Sequence, residues 1–145
     1  MHRFPFGNTD ICIRVVYSSR TYKKGRREKG MEKKTILVVD DSVEVGEFLK
    51  ASLEDFGFKV IFCEEGEHAI VYLAGADALI TDFRMGGMSG VELARKAKLQ
   101  RESLPVLIMT AGSLDDIPKD HLANKIISKT FDVGPILLWL REVAS

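Results

Sequence analysis

Residues 35 to 42 read Thr-Ile-Leu-Val-Val-Asp-Asp-Ser, and no other stretch narrows the fold as far. Ile36, Leu37, Val38 and Val39 are apolar at every position, as a strand is when helices cover both faces of its sheet. Ligand sites in such sheets lie beyond the carboxyl ends of the strands, which puts Asp40 and Asp41 at a mouth rather than in a core. Successive strand residues point to opposite faces, so one of the two must leave the ladder to share a site with the other. From this stretch alone, a solvated strand end capping the next helix is an equal alternative.

The remaining pattern supplies the other elements. Ser42 is an N-cap candidate, and Val43, Val45, Phe48, Leu49 and Leu53 give one apolar stripe to a helix ending near Asp55, closed by Gly57. Residues 58–63 read as a second strand, 66–73 as a short helix and 76–81 as a third strand delivering Asp82. The loop 83–90, Phe-Arg-Met-Gly-Gly-Met-Ser-Gly, is permissive enough to approach a ligand. A helix over 91–100 and a strand over 105–109 follow, the strand delivering Thr110. Residues 115–123 have a helical pattern that Pro118 breaks unless the helix starts there. A fifth strand over 125–128 delivers Lys129, and a last helix over 136–143 has Trp139 on its core side.

Five strands alternating with helices imply a parallel sheet with right-handed crossovers. The expected fold is α/β: a doubly wound five-stranded parallel sheet, flavodoxin-like, in the order 2-1-3-4-5. The crevice then falls between the first and third strands, and a chain of 145 residues accommodates one such domain.

Charge divides the chain. Residues 1–30 carry eight Lys or Arg against two acidic residues, while the rest carries 13 against 19. The first 30 residues read as a basic, disordered extension to a domain over 31–145, with a DNA-contacting arm as a minor alternative. Met31 is also a candidate start if Arg26 and Arg27 are encoded as a ribosome-binding sequence. The acidic body argues against a nucleic-acid surface. Cys12 and Cys63 lack metal-ligand spacing and suit a reducing compartment. No apolar run approaches a membrane span or a signal peptide, so a cytoplasmic location is expected, with no membrane partner.

Asp40, Asp41 and Asp82 are thus expected to converge, with Thr110 and Lys129 arriving from the fourth and fifth strands. Three carboxylates in one crevice repel, and Mg²⁺, a hard ion served by carboxylates, a carbonyl and water, relieves them. A metal, a Lys and a hydroxyl surround a transferring phosphoryl group well. Asp82, heading a flexible loop, is the natural nucleophile. No phosphate-binding Gly-x-x-x-x-Gly-Lys-Ser/Thr loop occurs, and Arg84 stands where a hydrolytic Asp-x-Asp acid would be. Modification with slow decay fits better than sustained turnover.

Val-Val-Asp-Asp-Ser, Thr81-Asp82, Met85-Gly-Gly-Met-Ser-Gly90, Met109-Thr110-Ala111 and Lys129, in this order, resemble the receiver domain of two-component response regulators (single-domain, CheY-like) over residues 33–144. The resemblance implies that Asp82 is the phosphoacceptor, served by a sensor histidine kinase or a histidine phosphotransfer protein in a phosphorelay. It also implies that Asp41, Asp82 and the Arg84 backbone carbonyl ligate Mg²⁺, with Asp40 acting through water. Thr110 and Lys129 would contact the phosphoryl group. Such a chain assists its own Mg²⁺-dependent phosphorylation and dephosphorylation without multiple turnover.

Three positions depart from the family. Gly86 replaces a usual Pro, Thr130 replaces the Pro after the Lys, so that a trans Lys129–Thr130 bond is expected, and Ile126 replaces the aromatic switch residue. The segment between the fourth and fifth strands is also short, so its helix should be short or irregular. The chemistry is expected intact and the output face altered. The alternative function is a phosphorylation-independent interaction module. His68 and His121 are expected on the surface or at helix flanks. Phe83, Met85 and Met88 are candidate kinase contacts, Met88 being equally well explained as packing beneath the loop.

Overall fold

The structure, a computed structural model, describes residues 33–129 and 132–144. The basic extension over 1–30 and the Lys129–Thr130 bond lie outside the described residues.

Five parallel strands form one sheet: β1 (Thr35–Val39), β2 (Lys59–Cys63), β3 (Ala78–Asp82), β4 (Val106–Thr110) and β5 (Lys125–Ser128). Their order is β2-β1-β3-β4-β5, as the alternation of strand and helix signals requires. α1 (Val43–Asp55), α2 (Gly66–Ala69), α3 (Gly90–Gln100) and α4 (Gly134–Val143) connect or follow them.

The all-apolar strands are buried on both faces, and their residues alternate between two cores. Ile36 and Val38, with Ala78, Ile80, Leu107 and Met109, pack under α1 and α4 against Phe48, Leu53, Ile136 and Trp139. Leu37 and Val39, with Leu79, Val106 and Ile108, turn to the opposite side and meet Leu73, Leu93, Ala94 and Ala97. A one-residue slip of any of these strands would exchange the two sets, so the fit of unlike side chains in the two cores, rather than burial alone, favours one register. Trp139 lies in the first core, as its place in the apolar stripe implies.

Caps set the helix boundaries. Ser42 Oγ accepts from Val45 N at 3.3 Å at the start of α1, and Gly57, at φ 98°, turns the chain out at its end. α3 opens with a capping box in which Glu92 N donates to Ser89 Oγ at 3.2 Å and Ser89 N donates to Glu92 Oε1 at 2.9 Å.

Two expected helices take other forms. Residues 66–73 are α-helical only through Ala69 and tighten into a 3₁₀ helix over Ile70–Gly75. Arg101, from the end of α3, donates to the carbonyls of Leu73, Ala74 and Ala76 and holds that tighter turn. Between β4 and β5 the helix is reduced to the 3₁₀ turn Leu114–Asp116. Pro118 follows it, and Leu122 sits at φ 67°, a conformation no helix contains. β3 also starts at Ala78 rather than 76; just ahead of it Asp77 N donates to Thr35 O at 2.7 Å and the Asp77 carboxylate accepts from Thr35 N at 2.7 Å.

Candidate functional site

The sheet register brings the strand ends together. Val39 pairs with Thr81, Asp82 with Met109, and Thr110 with Ser128, so β1, β3, β4 and β5 all finish at one edge. The residues expected there arrive: Asp40, Asp82 and Thr110 are buried, Lys129 is half-buried and Asp41 is exposed.

Ligand oxygens of Asp40, Asp41 and Asp82 lie within 4.8 Å of one another. Asp40 leaves the ladder after β1, and its Oδ1 accepts from Ser42 N at 2.8 Å. That bond lets the side chain turn inward while α1 begins, which is how two adjacent carboxylates come to serve one crevice. The buried Asp40 Oδ2 is paired with the Lys129 ammonium 2.8 Å away. The same ammonium lies 3.3 Å from Asp82 Oδ2. Sequence alone placed Lys129 opposite a phosphoryl group and missed this pairing with Asp40, which links the first and last strands of the site.

Burial, and then the charge of Asp40, push the Asp82 carboxyl up to about 6 against the pull of Lys129. Burial pulls the Lys129 ammonium down, but its hydrogen bond to Asp40 and the charges of Asp40 and Asp82 outweigh it, and the net shift is upward. The site therefore has more negative charge than one Lys neutralises. Its donors are all oxygens, from three carboxylates that one ammonium does not balance, so the residues fit a hard divalent cation such as Mg²⁺.

Thr110 Oγ1 accepts from Gly112 N at 3.0 Å, which leaves the hydroxyl hydrogen available to donate. Phe83 N donates to Met109 O at 2.7 Å, and Gly90 N donates to Phe83 O at 2.9 Å, so the loop after Asp82 is closed at its base. A Cβ on Gly90 would lie 2.2 Å from the Asp82 carbonyl oxygen; only glycine permits α3 to start this close to Asp82. The Arg84 guanidinium lies 4.9 Å from the Phe83 ring centroid and 3.6 Å from Asp116.

Phe83 is buried and is no exposed contact, and Met88 packs over Gly66, where an added Cβ would meet its side chain at 3.1 Å. Ile126 is half-buried against the second core. His68 is exposed, and His121 Nδ1 accepts from Ala123 N at 2.9 Å.

Residues 36–140 match the family described as the response regulator receiver domain. The chain belongs to this family. The receiver resembles the phosphate regulon transcriptional regulatory protein PhoB of Pseudomonas aeruginosa, 30% identical over 117 residues that make up 76% of this chain and 51% of that protein. It also resembles the transcriptional regulatory protein ZraR of Klebsiella oxytoca, at 33% identity over 77% of this chain and 26% of the relative. The receiver thus spans about half the length of the first relative and less of the second.

Among solved structures, the response regulator TrrA of Thermotoga maritima, crystallised in complex with Mg²⁺-BeF, matches with a TM-score of 0.69 at 29% identity. That match covers 76% of this chain and 98% of TrrA. The chemotaxis protein CheY4 of Vibrio cholerae matches with a TM-score of 0.71 at 25% identity, over 77% and 99% of the two chains. The receiver fold and its strand order are therefore shared with CheY-like proteins.

Proposed function

We propose that this receiver is a phosphorylatable switch in a phosphorelay with Asp82 as its phosphoacceptor. The observation that carries this is the buried Asp82 carboxylate held between the Lys129 ammonium and two further carboxylates at the end of β3. An Asp82 oxygen attacks the phosphorus of a phosphohistidine on a sensor histidine kinase or a histidine phosphotransfer protein. The P–O bond forms as the P–N bond breaks, and the imidazole leaves with the bonding pair.

Lys129 meets the charge of the acceptor oxygen and then of the phosphoryl group, and Thr110 donates to one of its oxygens. Asp41, Asp82 and the Arg84 carbonyl would hold Mg²⁺, with Asp40 acting through water; the ion would supply positive charge to the phosphoryl oxygens. Asp40, already engaged by Ser42 N and Lys129, keeps the ammonium aimed into the crevice. Support for Mg²⁺ comes from the oxygen donor set and from the Mg²⁺-BeF complex of TrrA.

No described helix is long and apolar enough to cross a membrane, and the proposed location is the cytoplasm, where a kinase would meet the chain. Incubation with a small phosphodonor and Mg²⁺, followed by intact-mass measurement, tests the reading. A single added phosphate, lost in Asp82→Ala, is expected. An unmodified parent chain would leave the phosphorylation-independent interaction module as the better account.

A further inference from the structure

The loop after Asp82 is held at both ends, by Phe83 N on Met109 O and by the Ser89 capping box. Between these anchors it contains Gly86 and Gly87, and Gly87 adopts φ 79°. Its side-chain anchors are Arg84 on Asp116 at 3.6 Å and Met85 and Met88 against the second core. The one hydrogen bond that reaches the main chain of residues 84–88, among the described residues, is from Met88 N to Glu67 Oε2 at 3.2 Å.

Glu67 lies in the first turn of α2, on the neighbouring crossover. Its carboxylate also crowds Gly87, where an added Cβ would meet Oε2 at 3.0 Å, and the Met88 side chain covers Gly66 beside it. The loop is thus pressed against the start of α2 by a bond to its main chain and a side chain laid over a glycine. The partner that fixes it comes from outside the loop.

We propose that Glu67 is a positioning residue for phosphorylation: it sets the path of residues 84–88, and hence the orientation of the main chain leading from Asp82. This rests on the reading of Asp82 as the phosphoacceptor. Glu67 touches neither Asp82 nor the crevice in any recorded contact, and it is exposed, so its removal leaves the core intact. The bond it makes asks only for an acceptor oxygen, which a glutamine also provides.

The test uses the full chain as Glu67→Ala and Glu67→Gln, with saturating Mg²⁺ and acetyl phosphate as donor. Phosphate uptake is followed by intact mass, and exchange of the Met88 amide by hydrogen–deuterium exchange. Glu67→Ala is expected to slow uptake about two- to fivefold, within what one lost hydrogen bond of ordinary strength allows. Its Met88 amide exchanges faster, and its thermal midpoint matches the parent. Glu67→Gln restores both the rate and the protection. A parental rate in Glu67→Ala, or a Glu67→Gln chain as slow as Glu67→Ala, overturns the proposal alone. A parent chain that takes up no phosphate overturns it together with the assignment of Asp82.

Discussion

The backbone N–H of Lys129 donates to the carbonyl oxygen of Thr110 at 2.6 Å, one residue beyond the last paired positions of β4 and β5. The two groups that would grip a phosphoryl oxygen are therefore tied through the main chain. Their spacing derives from the sheet itself, and the aim of the Lys129 side chain derives from Asp40 and Asp82.

Ionisation of Asp82 should weaken the metal-free fold. Its carboxyl, moved from 3.8 to about 6, keeps in the folded chain a proton that the unfolded chain releases, so stability falls as pH rises through that window. Asp82→Asn removes this loss. The variant should exceed the parent at pH 7.5 in EDTA by about 1–3 kcal/mol, and the gap should close toward pH 4. Urea midpoints at the two pH values measure it; a variant no more stable than the parent at pH 7.5 refutes the assignment.

Mg²⁺ binding should follow the same group. Below about 6 a proton competes for Asp82, and apparent affinity should fall by up to about tenfold per pH unit. Calorimetric titrations at pH 7.5, 6.0 and 5.0 give the profile. An affinity flat across this range would show that Asp82 is not a ligand.

Lys129→Ala leaves Asp40, fully buried, with a like-charged neighbour and no cation. A loss of about 2–4 kcal/mol at neutral pH is expected in EDTA, since breaking a buried pair strands its partner. Saturating Mg²⁺ should recover part of it. Denaturant unfolding with and without the ion checks both statements.

Gly90→Ala should act on the chemistry through the backbone. The new methyl would occupy space 2.2 Å from the Asp82 carbonyl oxygen and 3.1 Å from Phe83 Cα, and neither is the tip of a flexible side chain. Relief requires α3 or the end of β3 to move, at about 1–3 kcal/mol. Phosphate uptake should fall together with the melting temperature; unchanged uptake would mean that the shift is taken up in α3 alone.

Much of this was legible before the structure, for identifiable reasons. Ile36 to Val39 announce a doubly covered strand because each is fully buried, two toward either core. Asp40, Asp41, Asp82, Thr110 and Lys129 are legible as strand-end residues because a parallel sheet puts all its carboxyl ends on one edge. What escaped notice depends on contacts between distant segments. Arg101 fastens the carbonyls of Leu73, Ala74 and Ala76 from the end of another helix. Glu67 reaches Met88 from a different crossover, and Asp40 finds Lys129 across the two strands between β1 and β5. Local periodicity contains no trace of such partners.

The 3₁₀ turn at Leu114–Asp116 and the irregular chain up to β5 also bear on who can recognise this molecule. A binding surface made of helix ridges accepts a partner whose side chains fit the grooves between them. On this flank there are no ridges to fit, so a protein shaped to grip a helical receiver at this place finds the wrong relief. For a partner that reads such ridges, this relief would discriminate by shape, whatever that partner's fit to the rest of the fold.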